Sequence, residues 1–178
     1  MKTLGREEAN ILFDKYWDEM SHVWFKVEVL QDYAGEDDGP SLQSWIKGDK
    51  QTSIAFMKED ASPEWVQSCQ EKLRNDVKLI RLHLVEEPYS PYLEWELEYY
   101  KNVNIPKCGE QVFLVKKSAV SNLQIPKGDM MIFDDQIVVV NGYNDGGRMI
   151  SQNFYDQTDN ISSFLNLKQQ LLRLAKPL

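Results

Sequence analysis

The stretch Val77-Lys78-Leu79-Ile80-Arg81-Leu82-His83-Leu84-Val85 decides the architecture of this chain. Leu79, Ile80, Leu82, Leu84 and Val85 put apolar side chains on both sides of a period-two alternation, which implies a central strand covered on both faces. Arg81 and His83 interrupt the run, and alternation places them on the same face. Pro88 ends the strand.

Working outward, Ser62-Pro63-Glu64 reads as a helix start, with Ser at the cap and Pro where its missing N–H costs nothing; the helix is expected to bury Trp65, Val66, Cys69 and Leu73. Further upstream, Val23 to Leu30 is rich in β-branched and aromatic residues and predicts a strand, stopped by Gly35-Glu36-Asp37-Asp38-Gly39-Pro40. Ser41 is a candidate cap for a short helix carrying Leu42, Trp45 and Ile46. Leu12, Tyr16 and Met20 at i, i+4, i+8 predict an amphipathic helix over 6–20. Residues 1–22 are thus read as an N-terminal helical segment and 23–178 as one globular domain.

Downstream, a helix over 90–104 carries Leu93, Leu97 and Tyr100 on one side and Tyr92, Glu96 and Tyr99 on another, and Gln111 to Val115 is the next strand. Three strands then follow without an intervening helix: Met130 to Phe133, Ile137 to Asn141 and Arg148 to Tyr155. The connections are Asp134-Asp135, which suits a two-residue turn, and the positive-φ-tolerant Asn144-Asp145-Gly146-Gly147. A helix over 159–175, with Ile161, Phe164, Leu165, Leu171, Leu172 and Leu174, is too apolar to stand alone and must pack on the sheet. The expected fold is α+β (α/β): a single domain with a mixed sheet, an antiparallel C-terminal meander and helices packed against it.

Composition sets the boundaries. At 178 residues and 42% hydrophobic, with 11% aromatic, the chain has material for one well-formed core. Its longest apolar runs, such as Ile137 to Val140, fall far short of the ~20 residues needed to cross a bilayer, and Met1-Lys2-Thr3 leads into polar residues, so a cytoplasmic location and no membrane association are expected. Cys69 and Cys108 lie far apart without a C-x-x-C pattern, and the chain holds only two His, which argues against a disulfide framework or a structural zinc site. The net charge of -8 repels phosphate backbones, and no basic patch offsets it, so direct nucleic-acid binding is not expected. Acids gather at Asp32, Glu36, Asp37 and Asp38, and again at Glu86, Glu87, Glu94, Glu96 and Glu98. They give a solvated acidic face or a docking surface for a basic partner.

A series of segments can be taken in order: Phe25-Lys26-Val27-Glu28 with Tyr33, Trp45-Ile46-Lys47-Gly48, Trp65, Arg81-Leu82-His83-Leu84-Val85-Glu86-Glu87-Pro88, Tyr92-Leu93-Glu94-Trp95-Glu96-Leu97, Cys108-Gly109-Glu110 and Met131-Ile132-Phe133-Asp134-Asp135. Together they resemble a bacterial domain family of unknown function that is widespread in actinomycetes and often encoded beside helix-turn-helix regulators. Tyr143 to Gly147 and the last helix continue the match over roughly residues 23 to 178; family members often carry Arg where this chain has His83. The gene neighbourhood implies a regulatory or mobile-element role by association only. The segment Met131 to Val140 also looks like the strand, acidic turn and strand of phospholipase-D-like domains. Their H-x-K-x4-D motif is absent, because neither His22 nor His83 is followed by Lys two residues on.

The candidate cluster, functional or structural, comprises Arg81, His83, Glu87, Tyr92, Glu96, Asp134 and Asp135. A helix returning after Pro88 brings Tyr92 and Glu96 over Arg81 and His83, which predicts a buried Arg81–Glu96 ion pair with Tyr92 at its edge. Asp134-Asp135 suits turn chemistry better than a metal pair, because adjacent side chains diverge. No G-x-S-x-G, P-loop or cofactor motif occurs; Cys69 falls on a buried stripe, and Cys108 is expected in an exposed loop. Two functions fit. The first is a non-enzymatic interaction protein whose partner is basic, such as a helix-turn-helix regulator. The second is a degenerate phospholipase-D-like domain or a metal-dependent phosphoesterase or nucleotide hydrolase, with Arg81 as anion anchor and Asp134, Asp135 or Glu96 around a metal. The first is preferred, on the premise that the ionisable side chains serve folding and surface charge and are nowhere assembled into a reaction centre.

Overall fold

A computed structural model of the chain describes residues 1–33 and 39–178. Its strands are β1 (Lys2–Leu4), β2 (Val23–Glu28), β3 (Lys78–Val85), β4 (Gln111–Lys116), β5 (Met130–Phe133), β6 (Ile137–Tyr143), β7 (Met149–Tyr155) and β8 (Lys176–Pro177). Its helices are α1 (Arg6–Glu19), α2 (Pro40–Ile46), α3 (Lys50–Asp60), α4 (Pro63–Arg74), α5 (Pro91–Tyr99), α6 (Ile105–Cys108) and α7 (Ser162–Leu174). A π-helical turn, Tyr100–Asn104, joins α5 to α6. The loop signal at Gly35 and the acids Glu36, Asp37 and Asp38 lie outside the described residues.

The strands form an eight-stranded sheet in the order β1-β7-β6-β5-β2-β3-β4-β8. Flanked by β2 and β4 and parallel to both, β3 sits where its two-sided apolar pattern requires. Antiparallel pairing joins β5 to β2 and continues through β6 and β7, so the C-terminal meander closes one half of a mixed α+β sheet. Alternation then sorts the strands into two layers. Phe25, Val27, Leu82, Leu84, Ile132 and Val138 face α7, whose Leu167 and Leu171 cover them. Trp24, Leu79, Met131, Phe133 and Val139 face α1 and α4, and the polar residues of β2 and β3 project into this second layer. Both β1, paired with β7, and α1, through Ala9 and Trp17, join that layer. Among the described residues no helix is long and apolar enough to cross a membrane.

Several local expectations shift. Proline at the first turn starts α2 one residue before Ser41, whose buried hydroxyl instead donates to the Ser53 carbonyl at 3.0 Å. Sequence reading misses α3, since among its described side chains Ser53 and Met57 are the completely buried ones and its apolar stripe is correspondingly weak. At the end of α4, Leu73 is 37% exposed and not part of the core. The β5–β6 connection has three residues, 134–136, because Phe133 pairs with Ile137. Asp134 and Asp135 both take positive φ, 50° and 58°, a conformation short polar side chains tolerate.

Gly128 permits the close crossing of the loop before β5 over β6: a Cβ there would lie 1.7 Å from the Asn141 carbonyl oxygen. Backbone oxygen cannot rotate away as a side chain can. Gly128→Ala is therefore expected to destabilise the protein by about 2 kcal/mol, measured as a lowered urea midpoint; an unchanged midpoint would contradict the crossing.

Candidate functional site

In the parallel register, Lys26 pairs with Arg81 and Glu28 with His83, so alternation carries two cations, an acid and an imidazole onto one face at the centre of the sheet. The helix after Pro88 supplies the cover. Ser90 caps it by accepting from the Leu93 N–H at 3.0 Å, and α5 lays Glu96 over the strands. Further on, Pro106 has no N–H to return to the carbonyl four residues back, and the helix widens so that the Ile105 N–H reaches the Tyr100 carbonyl. This π turn keeps Tyr100 and Asn104 buried beside Glu96. Gly109, with φ of 64°, then ends α6 and turns Glu110 in beneath Arg81.

The charges pair differently from the expected Arg81–Glu96 bridge. Arg81 donates from Nη1 to Glu28 at 2.6 Å and from Nε and Nη2 to Glu110 at 2.5 and 3.1 Å. Glu110 lies at the β4 edge of β3, within direct reach of the guanidinium, whereas Glu96 reaches His83. The guanidinium carbon also lies 5.5 Å from the Trp24 ring and 5.4 Å from the Tyr100 ring, a cation–π contact on each. Lys26 donates to Glu28 at 2.5 Å, and the Tyr100 hydroxyl donates a very short bond to the other Glu28 oxygen. His83 is wholly buried, and its Nε2 carries the proton because its partner, the Leu30 oxygen at 2.7 Å, can only accept. That leaves an Nδ1 lone pair facing the Tyr100 hydroxyl at 3.1 Å and Glu96 Oε2 at 3.4 Å.

Burial and neighbours set the protonation states apart. Burial alone would raise the Glu28 carboxyl, but Arg81, Lys26 and His83 pull it well below the usual carboxylate range. Glu96 goes the other way: burial first, then the Glu28 charge, raise it well above the ordinary value, so it is held protonated. Burial also lowers His83 despite Glu28 nearby, and the imidazole is neutral. Opposed carboxyls of this kind are a common feature of functional sites.

A second buried polar network, which sequence reading missed, adjoins the first. Asp129 accepts from the Tyr33 hydroxyl at 2.6 Å, the Tyr143 hydroxyl at 2.7 Å and the Val29 N–H at 3.0 Å, stitching β2 to the meander. Nothing in the local pattern of Lys127-Gly128-Asp129 signals burial. Glu28 and Glu110 were in view as parts of matched segments, but their role depends on strand register.

Of the expected cluster, Arg81, His83 and Glu96 meet at the sheet centre, and Tyr92 stands beside them. Glu87 does not join them; it is exposed and pairs with Lys116 at 3.1 Å. Asp134 accepts from the N–H groups of Ser21, His22 and Val23 at 2.7–2.8 Å, latching the start of β2, while Asp135 pairs with Lys168 of α7 at 2.6 Å. The start of β2 is five residues from Glu28, about 16 Å along a strand. Cys108 is fully buried, not exposed, and its thiol hydrogen-bonds that of Cys69. The ionisable groups of β2, β3 and α5 are therefore gathered at the sheet centre, with Arg81 paired internally to Glu28 and Glu110.

A cavity of about 250 Å³ opens above this centre, lined by Arg81, Glu96, Tyr100 and Asn104 at its base and by Trp65, Tyr92, Trp95 and Tyr99 along its walls. Glu96 Oε2 and Asn104 Oδ1 are buried with essentially no accessible surface, and Oε2 lies 3.4 Å from His83 Nδ1. Glu28, His83 and Glu96 offer three metal-ligand atoms within 4.8 Å of one another. Glu28 already contacts Lys26 and Arg81, so a divalent ion would face two fixed cations, which makes the set a poor metal site.

Comparison with known proteins places the fold. Nuc, a phospholipase D family member from Salmonella typhimurium, is similar in structure with a TM-score of 0.56 and 10% identity, over 99% of this chain and 96% of that one. NucT from Helicobacter pylori is similar with a TM-score of 0.52 and 11% identity, over 99% and 98% of the two chains. No curated protein matches. At these identities the likeness is one of fold, and it agrees with the strand-turn-strand resemblance of residues 131–140. The family model for a domain of unknown function, DUF6879, matches residues 12–178, and the chain belongs to that family.

Proposed function

We propose that this chain is a non-hydrolytic phospholipase-D-like domain that works by binding, with a basic protein as its macromolecular partner. The observation that carries this reading is the internally neutralised Arg81. The group best suited to grip a phosphate has its Nε, Nη1 and Nη2 turned to Glu28 and Glu110, so an incoming phosphate would have to displace two carboxylates. The sequence also lacks the His-x-Lys pair of the phospholipase-D motif. A helix-turn-helix regulator is the kind of basic partner that suits a net charge of -8 and the exposed Glu86, Glu87 and Glu94, with the acids steering encounter.

Bis(p-nitrophenyl) phosphate, tested with Mg²⁺, Mn²⁺ or Zn²⁺, is expected to show no turnover. Hydrolysis that disappears in His83→Ala would overturn the reading. The neighbouring regulator is expected to co-purify with the chain at low salt and to be released at high salt, and failure to associate at any ionic strength removes the partner assignment.

A further inference from the structure

We propose that the cleft between α7, the loop before β5 and the strands β6 and β7 binds an uncharged saccharide. The inference goes beyond the binding reading above and does not rest on it.

The cleft exists because α7 does not seal the whole of its face of the sheet. Leu167 and Leu171 pack on the cluster of Phe25, Ile132 and Val138, whereas Val140 of β6 and Tyr155 of β7 stay half-buried. The loop closes the other side by alternation: Asn122 and Gln124 are exposed, and Leu123 and Ile125 turn in to pack on the core. The space enclosed is about 660 Å³, inside the usual small-ligand range of about 300–1,000 Å³.

The lining says what kind of ligand fits. None of its twelve residues is charged, in a chain that is 27% Asp, Glu, Lys and Arg. An anion or a cation would give up water there without meeting a counter-charge, so phosphates, carboxylates and amines are disfavoured. The rim is nevertheless polar. Ser163, Asn166 and Gln170 follow at i, i+3 and i+7 on one side of α7, a row about 10 Å long, and Asn122 and Gln124 join them from the loop. All five side chains are exposed, and among the described residues none is bonded to another protein group. A carboxamide both donates and accepts, and so does a hydroxyl, so the rim matches a ligand whose polar groups do the same.

The floor suits the other half of a sugar. Leu123, Ile125, Val140 and Leu167 make it apolar, and Tyr155 and Phe164 meet with ring centroids 5.1 Å apart and planes tilted by 50°. Two parallel rings would form a slot for a flat base. Two tilted rings form an apolar corner, against which the C–H face of a puckered pyranose packs while its hydroxyls reach the rim. The volume and the row along α7 suit a disaccharide.

The probe is a panel of neutral disaccharides built from glucose, galactose, mannose and N-acetylglucosamine, read by saturation-transfer NMR at pH 7. At least one is expected to receive saturation from the protein, equally at low and high salt. The double variant Asn166→Ala, Gln170→Ala should weaken that disaccharide by roughly tenfold or more, and Gln124→Ala, on the loop side, by roughly fivefold. All three amides are exposed, so both variants should keep the wild-type urea midpoint, which makes the loss one of recognition and not of folding. Absence of saturation transfer to every disaccharide, binding that salt weakens, binding indifferent to both variants, or uridine binding more tightly than any disaccharide would each overturn the proposal. Those results leave the phosphodiester and partner tests untouched.

Discussion

Replacing Arg81 with methionine is expected to lower the unfolding free energy by about 3–5 kcal/mol, read as a reduced urea midpoint with an unchanged slope. The loss arises less from the contacts removed than from the charges left behind. Glu28 and Glu110 are each 3% exposed, and without the guanidinium between them they become two buried carboxylates, with Lys26 left as a close cation beside Glu28. A domain of this size is stable by about 5–15 kcal/mol, so the variant sits near the edge of folding. The triple variant Glu28→Gln, Arg81→Met, Glu110→Gln removes both charges with the cation and is expected to recover much of the loss. A single variant no less stable than wild type would mean that the cluster is hydrated and open. A triple variant as unstable as the single one would mean that packing on Trp24 and Tyr100, not charge, is what Arg81 contributes.

That cluster also shows where sequence reading stops. The run 77–85 contained enough to place β3 at the sheet centre, and the missing helix after Pro126 announced the meander, because both are statements about periodicity. The sharing of a face by Arg81 and His83 was legible for the same reason. Their partners were not. Arg81 meets Glu28 because β2 and β3 pair in parallel with Lys26 opposite Arg81, and it meets Glu110 because Gly109 reverses the chain two residues before β4. Register and a left-handed turn are properties of the assembled sheet, so periodicity pointed to Glu96, the acid that shares a helix side with Tyr92 and Tyr99. Asp129 escaped for a related reason: a short loop residue becomes buried only once β2 and the meander close around it. Asp134 and Asp135 were placed correctly in a turn, but the two sides of that turn face different partners, a backbone cluster and Lys168, which no spacing along the chain could distinguish.

Replacing Glu96 with glutamine is expected to make the protein more stable than wild type, by an amount that grows with pH. In the unfolded chain this carboxyl ionises near its ordinary value of 4.5, whereas in the fold burial and the Glu28 charge keep the proton on to a much higher pH. Below the unfolded value both states carry the proton and the contribution is constant. Above it the unfolded state gains by ionising and the folded state does not, so wild-type stability falls as pH rises, until the raised folded value is reached. Within that window the difference between the two proteins should grow by up to about 1.4 kcal/mol per pH unit. Glu28 and His83 have depressed folded values and give the opposite trend, losing stability as pH falls, but they titrate in both proteins and largely cancel in the comparison. Urea midpoints of the pair between pH 5 and 8 measure the effect. A difference independent of pH would show that Glu96 is already ionised in the fold and would require a cation beside it. A growing difference instead marks a carboxyl that the fold keeps protonated at a cost to its own stability.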